Sequence, residues 1–267
     1  MREFWLALTV FVLLCFSASV GMYVRPRLPP VHHTHGTDEM MQLVIGMLVT
    51  FAALVLGLLT ASVKAAYDEA AHSRQQYALQ LTQLDRCLHN YGPGSEAARA
   101  DIRSYTAAVI ASTWPSEPAP AGVPYPDTSG MPLVGPTPVL TDLMNRVGLE
   151  IDQLNATDPV RVKEANDCHD DYRSVLRARL GVIENVQEQF STPFYVILVF
   201  WLVVIFASFG LIAPPHRLSM ISVALCALSL SSAIFVILDL DRPYGGLFSI
   251  SSDSMRTALA SMTRLRP

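Results

Sequence analysis

The sequence predicts an all-α integral membrane protein in which four transmembrane helices carry a cytoplasmic antiparallel helical bundle inserted between the second and third spans. Three observations support this. Of 267 residues, 51% are hydrophobic and only 16% charged, too apolar for an ordinary soluble domain. The apolar residues collect in four runs free of Asp, Glu, Lys, Arg and His: Phe4 to Val24, Met40 to Val63, Phe194 to Pro215 and Leu218 to Leu238. Most of the charge lies between the second and third runs, in residues 64–193.

Each run has about 20 residues or more, and at roughly 1.5 Å per residue that crosses a hydrocarbon core of about 30 Å. The first run has a rival reading, because Arg2, the apolar stretch and Ser17 to Ser19 together resemble a signal peptide. Its length, greater than an ordinary signal-peptide core, favours a span. Residues 1–63 then form a first helix pair, residues 194–238 a second, and residues 239–267 a cytoplasmic turn with a short helix.

Lys and Arg near the span ends set the orientation. With the amino terminus inside, the inner face holds Arg2, Lys64, Arg74, Arg177, Arg179, Arg242 and Arg256, and the outer loops hold Arg25, Arg27 and Arg217. This predicts a multi-pass membrane protein with both termini cytoplasmic. Cys15, Cys87, Cys168 and Cys226 include no CxxC pair and are expected to be reduced thiols. A net charge of -4 supplies no basic stripe, which argues against a nucleic-acid partner.

Within 64–193, apolar residues recur at helical spacing in four stretches. Tyr77, Leu81, Leu84, Leu88 and Tyr91 form one stripe, which Gly92 and Pro93 terminate. Ser95 is a candidate N-cap for a second helix bearing Ala98, Ile102, Tyr105 and Val109. The segment 114–138 is Pro-rich and reads as a solvated connector. Thr137 with Pro138 opens a third helix with Leu140, Leu143, Val147, Ile151 and Leu154 on one face. Asp158 with Pro159 opens a fourth, whose stripe is read as Val162, Ala165, His169, Tyr172, Leu176, Arg179, Ile183, Val186 and Phe190.

Catalytic chemistry has no specific signature. The chain contains no P-loop, HExxH, GxSxG or paired CxxC, so neither an enzyme nor a cofactor is expected. His32, His33 and His35 near Asp38 and Glu39, and Asp167, Cys168, His169 and Asp171, have metal-ligand residue types. The first group reads as a polar loop and the second as an acidic helix face. Asn155 to Thr157 matches a glycosylation acceptor but falls on the cytoplasmic side of this topology.

The second span is more informative. Gly46, Thr50, Ala53, Gly57 and Ala61 make a continuous small-residue face that Lys64 extends. Such a face serves tight helix packing, or it lines an oligomeric pore with Lys64 as a basic ring at the inner mouth. At the end of the fourth span, Asp239, Asp241 and Arg242 are candidates for membrane-boundary ion pairs, with Lys64 a further partner.

Four ordered blocks carry a resemblance: "LGLLTASVKAAYDEAA" from 56, "LDRCLHNYGP" from 84, "FWLVVIFASFGLIAP" from 200 and "LDRPYGGLFSISS" from 240. Together they resemble the bacterial bestrophin-like family, itself remotely related to true bestrophins, which are pentameric anion channels. The resemblance implies a four-span protein embedded in the lipid bilayer of the bacterial inner membrane; the analogy to true bestrophins adds a homo-oligomer and a permeant ion. The competing expectation is a non-conducting scaffold or sensor whose cytoplasmic bundle binds a partner.

Overall fold

A computed structural model describes residues 2–27, 35–154, 158–187, 192–213 and 216–264. The helices are α1 (Arg2–Val24), α2 (His35–Tyr91), α3 (Glu96–Thr113), α4 (Pro138–Asp152), α5 (Pro159–Gln187), α6 (Thr192–Ile212), α7 (Arg217–Leu240) and α8 (Asp253–Arg264). No strand occurs among the described residues. Helices α1, α2, α6 and α7 are long and apolar enough to cross a membrane.

The chain divides into two compact units: residues 1–66 with 189–242, and residues 67–188 with 243–267. In the first, α1 packs along α6 and α7. Gly21 and Gly210 meet where α1 crosses α6: a β-carbon on Gly21 would collide with the Ala207 carbonyl, and one on Gly210 with the Ala18 carbonyl. Only residues without side chains allow backbones this close. Ser17 Oγ donates to the Val203 carbonyl at 2.7 Å, adding a hydrogen bond across the same crossing. Leu14, Ala18, Leu202, Ile205 and Phe206 fill the core beside it.

The second unit has a water-soluble type of core. Tyr77, Leu81, Leu84, Leu88 and Tyr91 of α2 are buried, as are Ala98, Ile102, Tyr105 and Val109 of α3. Each fully buried Leu contributes about 1.5–3 kcal/mol, so this stripe accounts for much of the unit's cohesion. Gly92, at φ +80°, ends α2 in a conformation that favours glycine. Ser95 stands at the N-cap of α3 but does not cap it: its hydroxyl donates to the Leu88 carbonyl at 2.6 Å. Thr137 does cap α4, accepting from the Leu140 amide, with Pro138 at the first helical position. Gly148 leaves room for Tyr172 of α5, whose hydroxyl donates to the Met144 carbonyl at 3.0 Å.

Three expectations are corrected. On α5 the fully buried positions are Cys168, Val175 and Val182, seven apart, whereas Val162 is 43% exposed, so the inward face is rotated from the predicted stripe. The side chains of Val186 and Phe190 lie outside the described residues. The Pro-rich segment is non-helical as expected but is not a solvated connector: Trp114 is buried, and Val123, Tyr125, Met131 and Val134 pack against the core. Cys87 and Cys168 form a disulfide with Cα atoms 5.5 Å apart, in place of two free thiols. Helix α8 is amphipathic and buries Met255, Ala258, Leu259 and Met262 within the same unit, packing on α3.

Candidate functional site

The spanning part of α2 has two unlike sides. Ile45, Ala52, Leu59 and Val63 recur at steps of seven, seven and four and are buried. On the other side Gly46, Thr50, Ala53, Gly57, Ala61 and Lys64 are all exposed. A β-carbon built on Gly46 or Gly57 would meet nothing within 4 Å. Of the four apolar windows this is the least covered, 11% buried against 33%, 28% and 22% for the others. Glu39, Gln42, Gly46 and Thr50 line an open cleft on the same side.

The chemistry of this face is sparse. Thr50 Oγ1 donates to the Gly46 carbonyl at 2.8 Å, which uses its proton and leaves only acceptor lone pairs outward. Glu39 stands at one end and Lys64 at the other, so Lys64 is the face's only formal positive charge.

At the end of α7, Asp239 is 2% exposed. Arg242 reaches Glu3 at the start of α1, with Nη1 to Oε1 at 2.5 Å, and its amide donates to the Asp239 carbonyl. Glu3 was not among the candidate residues. Its signal was a single acidic residue directly before the first apolar run, where a carboxylate needs a cation or water.

Inside the second unit, polar groups are buried in pairs. Asp85 and Arg99 form a two-point ion pair at 3.1 and 3.3 Å, 1% and 6% exposed in their side chains, and Arg99 Nη1 lies 3.1 Å from His89 Nδ1. Arg74 is 2% exposed, and its Nε donates to the Tyr244 hydroxyl at 3.2 Å. Its guanidinium carbon lies 4.8 Å from the Tyr244 ring centre and 5.2 Å from that of Trp114, whose indole donates to the Ile250 carbonyl at 2.7 Å. The "PYGG" stretch thereby anchors α8's approach through Tyr244. Glu117 holds Arg256 at 3.0 Å and accepts from Ser252.

The groups with metal-ligand residue types are used otherwise. Cys168 is in the disulfide, His169 lies 3.0 Å from Asp152, Asp170 pairs with Arg173, and Asp171 accepts from Gln83 at 2.8 Å. Burial, with Asp167 and Asp170 nearby, raises the Asp171 carboxyl despite the Gln83 hydrogen bond. Burial likewise raises Glu150, with Asp101 adding to it, and Glu150 Oε2 is buried without a hydrogen-bond partner among the described residues. No group of three or more His, Cys, Asp or Glu arranged to hold a metal ion is found among the described residues. His32, His33, the side chains of His35 and Asp38, and Asn155 to Thr157 lie outside them.

Four apolar helices joined to a helical unit with a buried Arg and Asp pair define a class of helical membrane protein. A family profile described as the bestrophin-like domain matches residues 12–255. The chain belongs to the bestrophin-like family. Among solved structures it is similar to single-substitution variants of a bacterial bestrophin homologue from Klebsiella pneumoniae. One is 12% identical with a TM-score of 0.71, covering 99% of this chain and 98% of that one. Another is 15% identical with a TM-score of 0.66, covering 99% of each. At these identities the likeness establishes the shared fold. Comparison with curated proteins gave no significant match.

Proposed function

We propose that copies of this chain assemble in the bacterial inner membrane into an ion channel, with the Gly46, Thr50, Ala53, Gly57 and Lys64 face of α2 lining the pathway. The observation that carries the reading is the open face itself: among the described residues nothing lies within 4 Å of a β-carbon built on Gly46 or Gly57. Small residues on a span gain little from lipid, whereas several copies around an axis turn such faces toward one another. Membership of the bestrophin-like family supports the same reading, because the true bestrophins to which it is remotely related are pentameric anion channels. Lys64 then forms a basic ring at one mouth and favours anions there.

In this reading residues 64–193 are the inserted cytoplasmic bundle, and both termini lie on the same side, which the Lys and Arg bias favours. The Cys87–Cys168 disulfide belongs to an oxidising compartment instead. Reporter fusions at Pro120 and at the carboxyl terminus decide between the two. Cytoplasmic activity at both supports the proposed orientation, and periplasmic activity at Pro120 reverses it. Conduction is tested by reconstituting purified protein in liposomes and measuring ion flux. Flux above protein-free vesicles is expected; a folded, inserted protein with none leaves the scaffold or sensor reading.

A further inference from the structure

The second unit encloses a cavity of about 30 Å³ whose polar lining is Arg74, Arg179, Tyr77, Tyr105, Ser112 and Thr113, with residues 132–135 of the Pro-rich segment forming one wall. That is more than the roughly 10–15 Å³ a single water needs. No carboxylate lines it. Arg74 is almost fully buried, and among the described residues it has no acidic partner: only Tyr244 and the faces of Tyr244 and Trp114 touch its guanidinium. Arg179, half-buried, donates to Thr141 Oγ1 at 3.1 Å and lies 5.8 Å from the centre of the Tyr105 ring, again with no acidic partner among the described residues. Elsewhere in the same unit a buried guanidinium has a carboxylate, as Arg99 has Asp85.

An unpaired buried cation is costly, and ring faces offset only part of that cost. The remaining lining groups are suited to an anion. Tyr77 and Tyr105 share one short hydrogen bond between their hydroxyls, which uses one phenolic proton and leaves the other to donate elsewhere. Burial raises Tyr105 above the ordinary phenol range, so it remains a neutral donor at physiological pH. Thr113 is 2% exposed and brings a hydroxyl to the same lining.

We infer that this cavity is a binding site for a small inorganic oxyanion, held by the guanidinium groups of Arg74 and Arg179 with the Tyr77–Tyr105 and Thr113 hydroxyls completing its shell. Guanidinium forks match the oxygens of a tetrahedral anion, and two positive charges compensate a divalent one. The site lies wholly within the second unit and does not depend on the chain conducting ions.

The test is equilibrium dialysis of radiolabelled sulfate against the full chain in detergent, with gluconate, too large for the cavity, as the only other anion. One saturable site per chain is expected, displaced by inorganic phosphate. Arg179→Gln, at a half-buried position, should weaken binding at least tenfold while circular dichroism and elution volume stay unchanged. Arg74→Gln should abolish it. If Arg74→Gln fails to fold, Arg179→Gln and Tyr105→Phe carry the test, the second with a smaller loss. Absence of saturable sulfate binding by wild-type protein, or full affinity in a folded Arg179→Gln protein, overturns the inference.

Discussion

The membrane unit and the second helical unit are each held together internally, by opposite means. Where α1 meets α6, closeness is achieved by removing side chains at Gly21 and Gly210 and adding one hydroxyl bridge from Ser17. In the second unit, large side chains fill the core, and buried groups among them are joined in pairs, Asp85 with Arg99 and Cys87 with Cys168. The difference follows from solvent. Lipid gives little apolar reward for helix association, so packing distance matters; water rewards apolar burial and penalises every unmatched polar group. The Gly46 and Gly57 face of α2 follows neither pattern, because it has glycines but, among the described residues, no backbone against them.

Substitution at the two kinds of glycine should separate these cases most strongly. Gly21→Leu or Gly210→Leu drives a side chain into backbone, beyond the roughly 1–3 kcal/mol usual for overpacking, and should leave little folded protein by size-exclusion profile. A β-carbon on Gly57 meets no atom within 4 Å among the described residues, so Gly57→Leu should preserve the folded chain while altering assembly or flux. Equal loss of folded protein in both would erase the contrast.

In the second unit, Asp85→Ala removes the carboxylate from a buried guanidinium and should cost about 3–5 kcal/mol, measured by thermal or denaturant unfolding. A loss below about 1 kcal/mol would mean that Arg99's other contacts, His89 among them, satisfy it.

How far the sequence foretold this depends on which signal each residue carried. The four apolar spans and the stripes of the α2 extension, α3 and α4 were legible, because charge-free length and helical periodicity report burial directly. The α5 face was misjudged because an acidic stretch surrounds Cys168, although Cys168, Val175 and Val182 keep a seven-residue repeat. In 114–138 the prolines gave the correct non-helical backbone, but composition could not disclose which apolar side chains return to the core. Arg74 had a visible signal: it falls on the stripe of Ala70, Tyr77 and Leu81, at steps of four and three, where a charge is out of place. Arg242's contact with Glu3 was not legible, since 239 residues separate the pair in sequence.

The smallest expected effect concerns the acidic face of α5. Burial and the charges of Asp167 and Asp170 raise the Asp171 carboxyl in the folded state, so its ionised form costs stability above that raised pKa. The cost vanishes as pH falls below the unfolded value of about 3.9. Asp171→Asn should therefore raise the melting temperature slightly at neutral pH, by about 1 °C, with the gain shrinking to nothing in acid. A gain that persists at pH 3 would point to a cause other than charge.

The open face of α2 is the central claim, and Lys64 tests it most directly because it is that face's only formal positive charge. The measurement is the reversal potential of reconstituted wild-type and Lys64→Glu protein across a chloride salt gradient. A pore lined by this face predicts reduced anion permeability and a shift toward cations in the variant, smaller at high salt where the charge is screened. A folded, inserted Lys64→Glu protein with the wild-type reversal potential would contradict it.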